Sequence, residues 1–418
     1  MGYVQIATRF FAMTPLRIVF TALLPFASGY LMSYLLRAVN AVVAPDLVRD
    51  AGLSPAELGL LTAAYLGAFA LFQLPLGLLL DRYGPRRVQS VLLLVAAMGV
   101  LGFAAAPGFG AMFAARAVIG FGFSAGLMAS YKSSATWVPL ERRSLANTAI
   151  MAVGALGVVA ATEPTEVLVA AIGWRLAFVV FAGLICLVAL FVLASAPRKD
   201  TVGTPTSFKR QFAELLMILR HPLYWRIAPL LGITSGVQLG IQTLWAGPWF
   251  RDVMGLGRED VARHLLILAI TFMAGILAVG VIADRLGKRL DTMRILVGFN
   301  VIYFIAQAII VARIEALLLP AWMVVAAIGQ VAVLAFPWFA ARIGPELSGR
   351  SNAAINFAIF VSAFVSQYAV GFVIGLFPAT GGNYDPAGYS WALGIFLVLQ
   401  LAAFVWYLVG PPSQGRKV

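Results

Sequence analysis

The sequence predicts an all-α membrane protein with twelve transmembrane helices in two pseudo-symmetric bundles of six. Three observations lead to this prediction. The composition is too apolar for a water-soluble surface, the apolar residues fall in twelve long runs, and the second half of the chain repeats features of the first. Parallel repeats of six helices are a recognised plan for membrane transporters.

The composition excludes several classes of protein. Of the 418 residues, 61% are hydrophobic and 11% are charged, whereas about 25% of the residues in a soluble domain are charged. Such a chain cannot cover a globular surface with polar groups, which excludes a soluble enzyme and a disordered protein. Cys186 is the single cysteine, so no disulfide forms within the chain. The net charge of +13 is scattered between apolar runs, so we expect no nucleic-acid partner.

The apolar runs are long enough to cross a bilayer, which takes about 20 residues per helix. They are continuous rather than alternating, which favours helices over the strands of a barrel. The segment before the first run has one basic residue, Arg9, and no clear cleavage site follows, so we expect an uncleaved first span. The predicted spans are 16–44, 56–79, 87–106, 109–138, 144–170, 174–195, 226–249, 262–283, 293–312, 317–338, 352–377 and 389–409.

The one long polar break divides the chain into an N-terminal bundle (1–195), a linker (196–225) and a C-terminal bundle (226–418). Most of the 30 Lys and Arg residues fall on the side that also holds both ends of the chain. Because positive charge marks the cytoplasmic side, we expect both termini in the cytoplasm. The predicted location is a cell membrane, the inner membrane if the source is bacterial.

The linker contains a helical pattern of its own. Apolar and basic residues alternate there with helical spacing, which predicts an amphipathic helix on the cytoplasmic face. The alternative is a plain helix that connects the two bundles. The apolar residues are Phe208, Phe212, Leu215 and Leu219, and the basic ones are Lys209, Arg210 and Arg220.

Each half carries the same loop sequence after its second span. GLLLDRYGPRR begins at Gly77, and GVIADRLGKRL begins at Gly280. Asp81 and Asp284 are separated by the same number of residues as Pro45 and Pro248, which end the first span of each half. The glycines that follow each Asp-Arg pair permit a tight turn between two helices.

These loops resemble the signature G-x-x-x-D-R-x-G-R/K-R/K of the major facilitator superfamily. The first copy consists of Gly77, Asp81, Arg82, Gly84, Arg86 and Arg87, and the second of Gly280, Asp284, Arg285, Gly287, Lys288 and Arg289. In the fourth span, Arg116, Gly120 and Gly122 resemble the family's R-x-x-x-G-x-G element. The resemblance implies the two-bundle fold of that superfamily, transport by alternating access, and a conformational latch at the loops. The alternative is that the loop charges only anchor the helix ends in solvent.

Three charges are predicted at one membrane depth in the first half: Arg37, Arg116 and Glu163. An ionisable group there costs roughly 2.5–3.5 kcal/mol on insertion scales and suggests a function. We predict that Glu163 pairs with Arg37 or Arg116, and that Glu166 belongs to the same ion-pair or coupling site. The alternative is that Pro164 ends the fifth helix early, which would leave Glu163 and Glu166 in an outer loop.

Lys132 lies in the fourth span, about six residues from its predicted inner end. No carboxylate in the spans is an obvious partner at that depth. The ammonium group then either reaches to the inner surface or faces a wet cavity. In the second case, Lys132 joins Arg37 in a cationic substrate site.

Polar and aromatic side chains form stripes on symmetric helices. Such groups suit a pocket with apolar walls and a few fixed polar contacts; the alternative is hydrogen bonding between helices. The candidate substrate-binding residues are Tyr30, Tyr34 and Arg37 on the first span, Lys132 on the fourth, Gln238, Gln242 and Trp245 on the seventh, Gln330 on the tenth and Asn356 on the eleventh.

The sequence contains no phosphate-binding loop, no metal-ligand cluster and no credible catalytic triad, so we expect neither an enzyme nor a cofactor. The excess of basic residues over Glu163 predicts a transporter for a small organic anion or zwitterionic metabolite, active as a monomer in the lipid bilayer. A coupling proton or a counter-substrate is a further expected partner. Two alternatives are a proton-driven exporter of drug-like compounds and, less favoured, a transporter-like ligand sensor.

Overall fold

The computed structural model describes residues 15–139, 142–197, 208–287, 289–344, 347–379 and 383–409. In these ranges the chain forms helices joined by short loops. Eleven helices are long and apolar enough to cross a membrane, and a shorter apolar one covers Leu145–Ala160. The longest, Pro55–Ala105 and Glu163–Ser195, each contain a sharp break at a glycine.

The N-terminal half contains six spans, α1 to α6. The first span, α1, is interrupted and consists of Pro15–Ile18, Val19–Leu23, Leu24–Ala38 and Asn40–Ala51. The breaks at Gly84 and Gly173 divide Pro55–Ala105 into α2 and α3 and separate α6 from the end of α5. The fourth span, α4, consists of Phe109–Phe123 and Gly126–Trp137, and α5 of Arg143–Ala160 with the part of Glu163–Ser195 before Gly173.

A linker helix, Phe208–Arg220, precedes the six spans of the C-terminal half. The seventh span, α7, consists of Pro222–Gly240, Ile241–Trp245 and Ala246–Met254; α8 is Arg258–Gly287 and α9 is Thr292–Ala312. The tenth span, α10, consists of Glu315–Leu317, Leu318–Ile328, Val331–Leu334 and Ala335–Ile343; α11 is Ser348–Ile374 and α12 is Pro386–Val409. The described residues therefore confirm the predicted all-α fold of twelve spans.

Gly84 and Gly173 occupy equivalent places in two inverted units of three helices. Their backbone angles are nearly identical (φ 76°, ψ 158° and φ 78°, ψ 156°), a conformation that favours glycine. Two residues after each glycine, an arginine binds the end of another helix. Arg86 donates to the Leu193 carbonyl at 2.9 Å, and Arg175 donates to the Ala104 carbonyl at 3.1 Å. The first bond lies on the face that holds the linker helix, called the linker face below; the second lies on the opposite face.

On the opposite face, a repeated hydrogen bond holds the end of α1 in one half and the end of α7 in the other. Asp50 accepts a hydrogen bond from the Trp174 indole at 2.8 Å, and Asp252 accepts one from the Tyr389 hydroxyl at 2.7 Å. Both hydrogen bonds fix the first span of a half to the last span of the same half.

The linker helix packs on the C-terminal half. Its Glu214 carboxylate pairs with Arg350 at the start of α11 at 2.8 Å. Ile218 is buried, with Leu215 and Leu219 packed beside it, whereas Phe212 is half exposed. A helix forms in the predicted linker, and its buried face is centred on Ile218. The side chains of Phe208 and Lys209 lie outside the described residues.

Among the described residues, the halves meet chiefly where α1 packs on α7, α2 on α11, and α5 on α8. On the opposite face these pairs approach closely. A methyl group added at Gly247 would lie 2.0 Å from the Ala41 carbonyl oxygen, and one at Gly371 would lie 2.2 Å from the Pro55 carbonyl oxygen. These glycines let backbones of the two halves touch, which closes the opposite face.

Candidate functional site: a central cavity with one buried arginine

A cavity lies between the halves, lined by residues of α1, α2, α4, α5, α7, α8, α10 and α11. Both bundles contribute to its wall, which is the arrangement expected for a site between two repeats. Six of the nine predicted substrate-binding residues line it: Tyr30, Tyr34, Arg37, Gln242, Gln330 and Asn356. Helical spacing on α1 explains the first three, since positions i, i+4 and i+7 share one face.

Arg37 supplies the charge of the cavity. Its side chain is buried, and its guanidinium carbon lies 4.8 Å from the centre of the Tyr34 ring, 5.1 Å from Phe69 and 5.3 Å from Phe360. Its Nε atom has no hydrogen-bond partner, and Arg37 forms no ion pair with a described carboxylate. Aromatic faces stabilise a cation in part, but a buried charge without a counter-ion remains costly. The site can therefore attract an anion.

The polar groups that face Arg37 across the cavity lie at irregular turns. Gln242 belongs to a π-helical segment of α7, Ile241–Trp245, and Gln330 precedes a 3₁₀ segment of α10, Val331–Leu334. Such interruptions are common where side chains must be re-aimed at a functional site. The amide groups of Gln242, Gln330 and Asn356 can donate and accept hydrogen bonds, so they can bind the uncharged part of a polar ligand.

Trp245, predicted to bind substrate, lies outside the lining of this cavity. Its ring is fully buried, and its indole Nε1 donates to the Gln367 carbonyl of α11 at 2.9 Å. The ring also lies against Gly371, where an added methyl would be 2.8 Å away. Trp245 therefore packs helices together, as the helix-packing alternative predicted for these stripes. The prediction failed because Trp245 lies on the side of α7 that meets α11.

Lys132, also predicted to bind substrate, lies outside the lining of the cavity as well. Its ammonium group pairs with Asp81 of α2, on the linker face, and Lys132 is not among the cavity lining. Asp81 lies just beyond the predicted second span (56–79), so Lys132 finds a carboxylate there and follows the first alternative, in which its ammonium group reaches the surface instead of the cavity. The two side chains are 28% and 50% exposed, so this is a partly solvated pair.

Glu163 pairs with neither arginine. It begins the second part of α5, after a break at Ala161 and Thr162, and no ion pair joins it to a described residue. Arg116 is fully buried; it donates to the Leu36 carbonyl at 2.9 Å and lies 5.1 Å from the Phe103 ring. The predicted pairing was wrong because the break rotates the end of α5 relative to its start. The outer-loop alternative required the helix to end there. The break does not end the helix, because helical structure resumes at Glu163.

The two loop signatures behave differently. In the first copy, Gly84 forms the turn, Asp81 pairs with Lys132, and Arg86 binds the end of α6. Arg82 lies 5.3 Å from the Tyr83 ring, and Gly77 and Arg87 are exposed or nearly so. In the second copy, Gly280, Asp284 and Arg285 are exposed positions of the continuous helix α8. The latch role stays a prediction, and the geometry favours it for the first copy.

On the opposite face, an ion-pair network joins the halves. Arg258 of α8 makes two contacts with Asp46 of α1, at 2.6 and 3.1 Å, and a third with Glu166 of α5. Asp46 and Glu166 are buried. Sequence analysis assigned Glu166 to a coupling site but missed Asp46 and Arg258. The available signal was the position of Asp46, directly after the repeated Pro45.

Residues 26–367 match the family model described as Major Facilitator Superfamily. The chain belongs to the Major Facilitator Superfamily. One relative is the "Probable sulfoacetate transporter SauU" of Cupriavidus necator, 24% identical over 85% of this chain and 86% of its own length. Another is the "Probable nitrate/nitrite antiporter NarK1" of Thermus thermophilus, 24% identical over 89% of this chain and 85% of its own length.

A solved structure confirms the fold. It is described as a bacterial homolog of the human lysosomal transporter Spinster in an inward-facing and unoccupied conformation. The TM-score is 0.74 at 18% sequence identity, over 95% of this chain and 97% of that one. The protein is thus a multi-pass membrane protein of a transporter family.

Proposed function

We propose that the protein is a secondary transporter that moves a small organic anion or a zwitterionic metabolite by alternating access. The observation that carries this proposal is Arg37. It is a buried guanidinium in a cavity between the halves, without a carboxylate partner among the described residues. An anionic ligand would supply the missing counter-charge, and the cavity amides would bind its uncharged atoms.

The relatives support the sign of the substrate charge. Sulfoacetate, nitrate and nitrite, which appear in the names of two relatives, are all anions. Among them, sulfoacetate is an organic anion. The drug-exporter alternative gains no support of this kind, since lipophilic cations would be repelled by Arg37.

Closure of the opposite face supports alternating access. The Asp46–Arg258–Glu166 network joins the halves there, and the network must separate before a ligand can reach Arg37 from that side. With the linker face in the cytoplasm, as the positive charges predict, the structure is closed to the outside. Asp46 also pairs with Arg49 at 3.0 Å, whereas Glu166 has Arg258 as its ion-pair partner, so Glu166 is the natural candidate for binding a coupling proton when the network opens.

Uptake into proteoliposomes tests the proposal. Purified protein should take up radiolabelled sulfoacetate or short carboxylates, and Arg37→Ala should abolish uptake. Removing one partner of a buried charged contact costs about 2–5 kcal/mol, so we expect anion affinity to fall at least roughly 30-fold. Arg263→Ala is the matched control, because Arg263 is exposed and pairs only within α8, with Asp260.

Three outcomes would contradict the proposal. Uptake by Arg37→Ala at the wild-type rate would remove Arg37 from the site. Binding of lipophilic cations in place of anions would favour the exporter. Binding of anions without any uptake in either direction would favour the ligand sensor.

A further inference from the structure

A second, smaller pocket continues the central cavity toward the opposite face. The two spaces share Ala38, Val158 and Gln242. The second pocket reaches Ala41 and Val42 of α1, which also line the space beside the Asp46–Arg258–Glu166 network. The pocket therefore lies between Arg37 and the contacts that close the opposite face.

Two buried polar atoms of this pocket have no partner among the described protein groups. They are the indole Nε1 of Trp322 and the amide Oε1 of Gln238. Trp322 is 3% exposed and Gln238 is 2% exposed, and both residues line the pocket. A buried donor or acceptor that is left unsatisfied destabilises the folded protein, and most such groups in proteins find a partner. A donor and an acceptor left open in one pocket indicate a ligand group that satisfies both.

The surroundings hold both side chains in place. The Trp322 ring lies 5.1 Å from the Trp249 ring and 5.5 Å from the Phe250 ring. Gln238 packs against Gly329, where an added methyl would lie 2.3 Å from the Gln238 Cγ atom. Gly329 is also where α10 is interrupted, so the helix break makes room for the Gln238 side chain. Rigid placement of this kind is what a specific hydrogen-bonding site requires.

We propose that this pocket is a second subsite that binds a hydroxyl group of the same substrate whose anionic group lies at Arg37. The inference rests on the proposed function. A hydroxyl is the smallest organic group that can accept from the Trp322 N–H and donate to the Gln238 oxygen at once. The substrate class is thus a hydroxylated organic anion.

The helix fixes the spacing between the two groups. Ala41 and Val42 follow Arg37 by four and five residues on α1. At 1.5 Å per residue, these two pocket residues lie roughly 6–8 Å from Arg37 along the helix axis, and we expect a similar spacing between the hydroxyl and the anionic group. A ligand must be extended to reach both subsites, and small inorganic anions can occupy only the first.

Binding of matched ligand pairs tests the subsite. The probes are linear hydroxycarboxylates with a terminal hydroxyl, from 3-hydroxypropanoate to 6-hydroxyhexanoate, each compared with its unsubstituted acid on the purified full chain by titration calorimetry. We expect the longer hydroxylated acids to bind about 10- to 100-fold more tightly than their partners, because an unsubstituted chain leaves the indole and the amide unpaired. No preference at any chain length would overturn the proposal.

Substitution assigns the preference to the pocket. Trp322→Phe keeps a ring for Trp249 to pack against but removes the N–H, so the preference should fall below about 3-fold while unsubstituted acids bind as before. Trp391→Phe, at a position 63% exposed on α12, is the matched control. Gln238→Met is a second variant that removes the acceptor and keeps the side-chain length. Full preference in both pocket variants would overturn the proposal.

The outcomes separate the subsite from the proposed function. If unsubstituted and hydroxylated acids bind equally and both need Arg37, the anion site stands and the proposed hydroxyl subsite is wrong. Trp322 and Gln238 would then bind only an ordered water. If neither series binds, both proposals fail.

Discussion

Arg37 shows how far a single residue could be assigned from sequence. Its face of α1 follows from helical spacing with Tyr30 and Tyr34, and all three line the cavity. Its lack of a carboxylate partner did not follow, because Glu163 was placed in an uninterrupted fifth span and predicted to pair with Arg37 or Arg116. A residue's depth can be read from the chain, whereas its contacts depend on how each helix is rotated and where it is interrupted.

The Lys132–Asp81 pair gives a prediction at this scale. The residues are 51 positions apart on different helices, and their exposure limits the pair to about 0.2–1 kcal/mol of stability. We therefore expect Lys132→Asp and Asp81→Lys to change the melting temperature little but each to slow uptake, since both residues sit on the linker face beside the loop turn. The double exchange should restore part of the lost rate.

A cycle of the two single variants and the double variant measures the coupling. Exchange of Arg263 and Asp260, an exposed pair on the opposite face, is the control and should leave the rate unchanged. Equal loss of rate in the single and double variants would contradict a specific contact between Lys132 and Asp81.

At the scale of the helix, the number and order of spans could be predicted, but the interruptions could not. Long apolar runs determine how often the chain crosses the membrane. The break at Ala161 and Thr162 and the 3₁₀ segment Val331–Leu334 have no decisive local signal, since glycine and proline also occur in unbroken spans. These irregular turns carry or adjoin cavity residues, so the least predictable elements are the ones that shape the site.

The contact between α1 and α7 gives a prediction for an element. A methyl group at Gly247 would lie 2.0 Å from the Ala41 carbonyl oxygen. We expect Gly247→Ala to cost about 1–3 kcal/mol in the closed arrangement and to lower the melting temperature. Gly298→Ala, at a position of α9 with open space around it, should be neutral or stabilising. An unchanged melting temperature in Gly247→Ala would show that the two backbones do not touch.

At the scale of the whole molecule, the duplicated halves were predictable, and the face that is closed was not. The repeated loops give the architecture, whereas both states of a transporter use the same sequence and differ by only a few kcal/mol. The closing contacts involve Arg258, which the sequence places in an ordinary loop-to-helix junction. Contacts that form in just one of the two states leave no periodic pattern in the sequence.

The Asp46–Arg258–Glu166 network gives the prediction for the whole molecule. Arg258→Gln removes the guanidinium that joins two buried carboxylates across the halves. The two halves should then separate more often on the opposite face. We expect a cysteine at Val42, introduced in a Cys186→Ala background, to react at least several-fold faster with a membrane-impermeant maleimide added on that side.

Arg251→Gln is the matched control, because Arg251 pairs with Asp252 within the C-terminal half and should leave the labelling rate unchanged. Equal labelling of the wild-type background and the Arg258 variant would show that the network does not hold the halves together.

The twin turns at Gly84 and Gly173 bear on the direction of transport. Three-helix units that occur in both orientations across the membrane form a scaffold that does not itself define a direction of transport. A transporter built on such a scaffold works in both directions, so solute gradients set the direction of net flux, and the contacts that close each face affect only its rate.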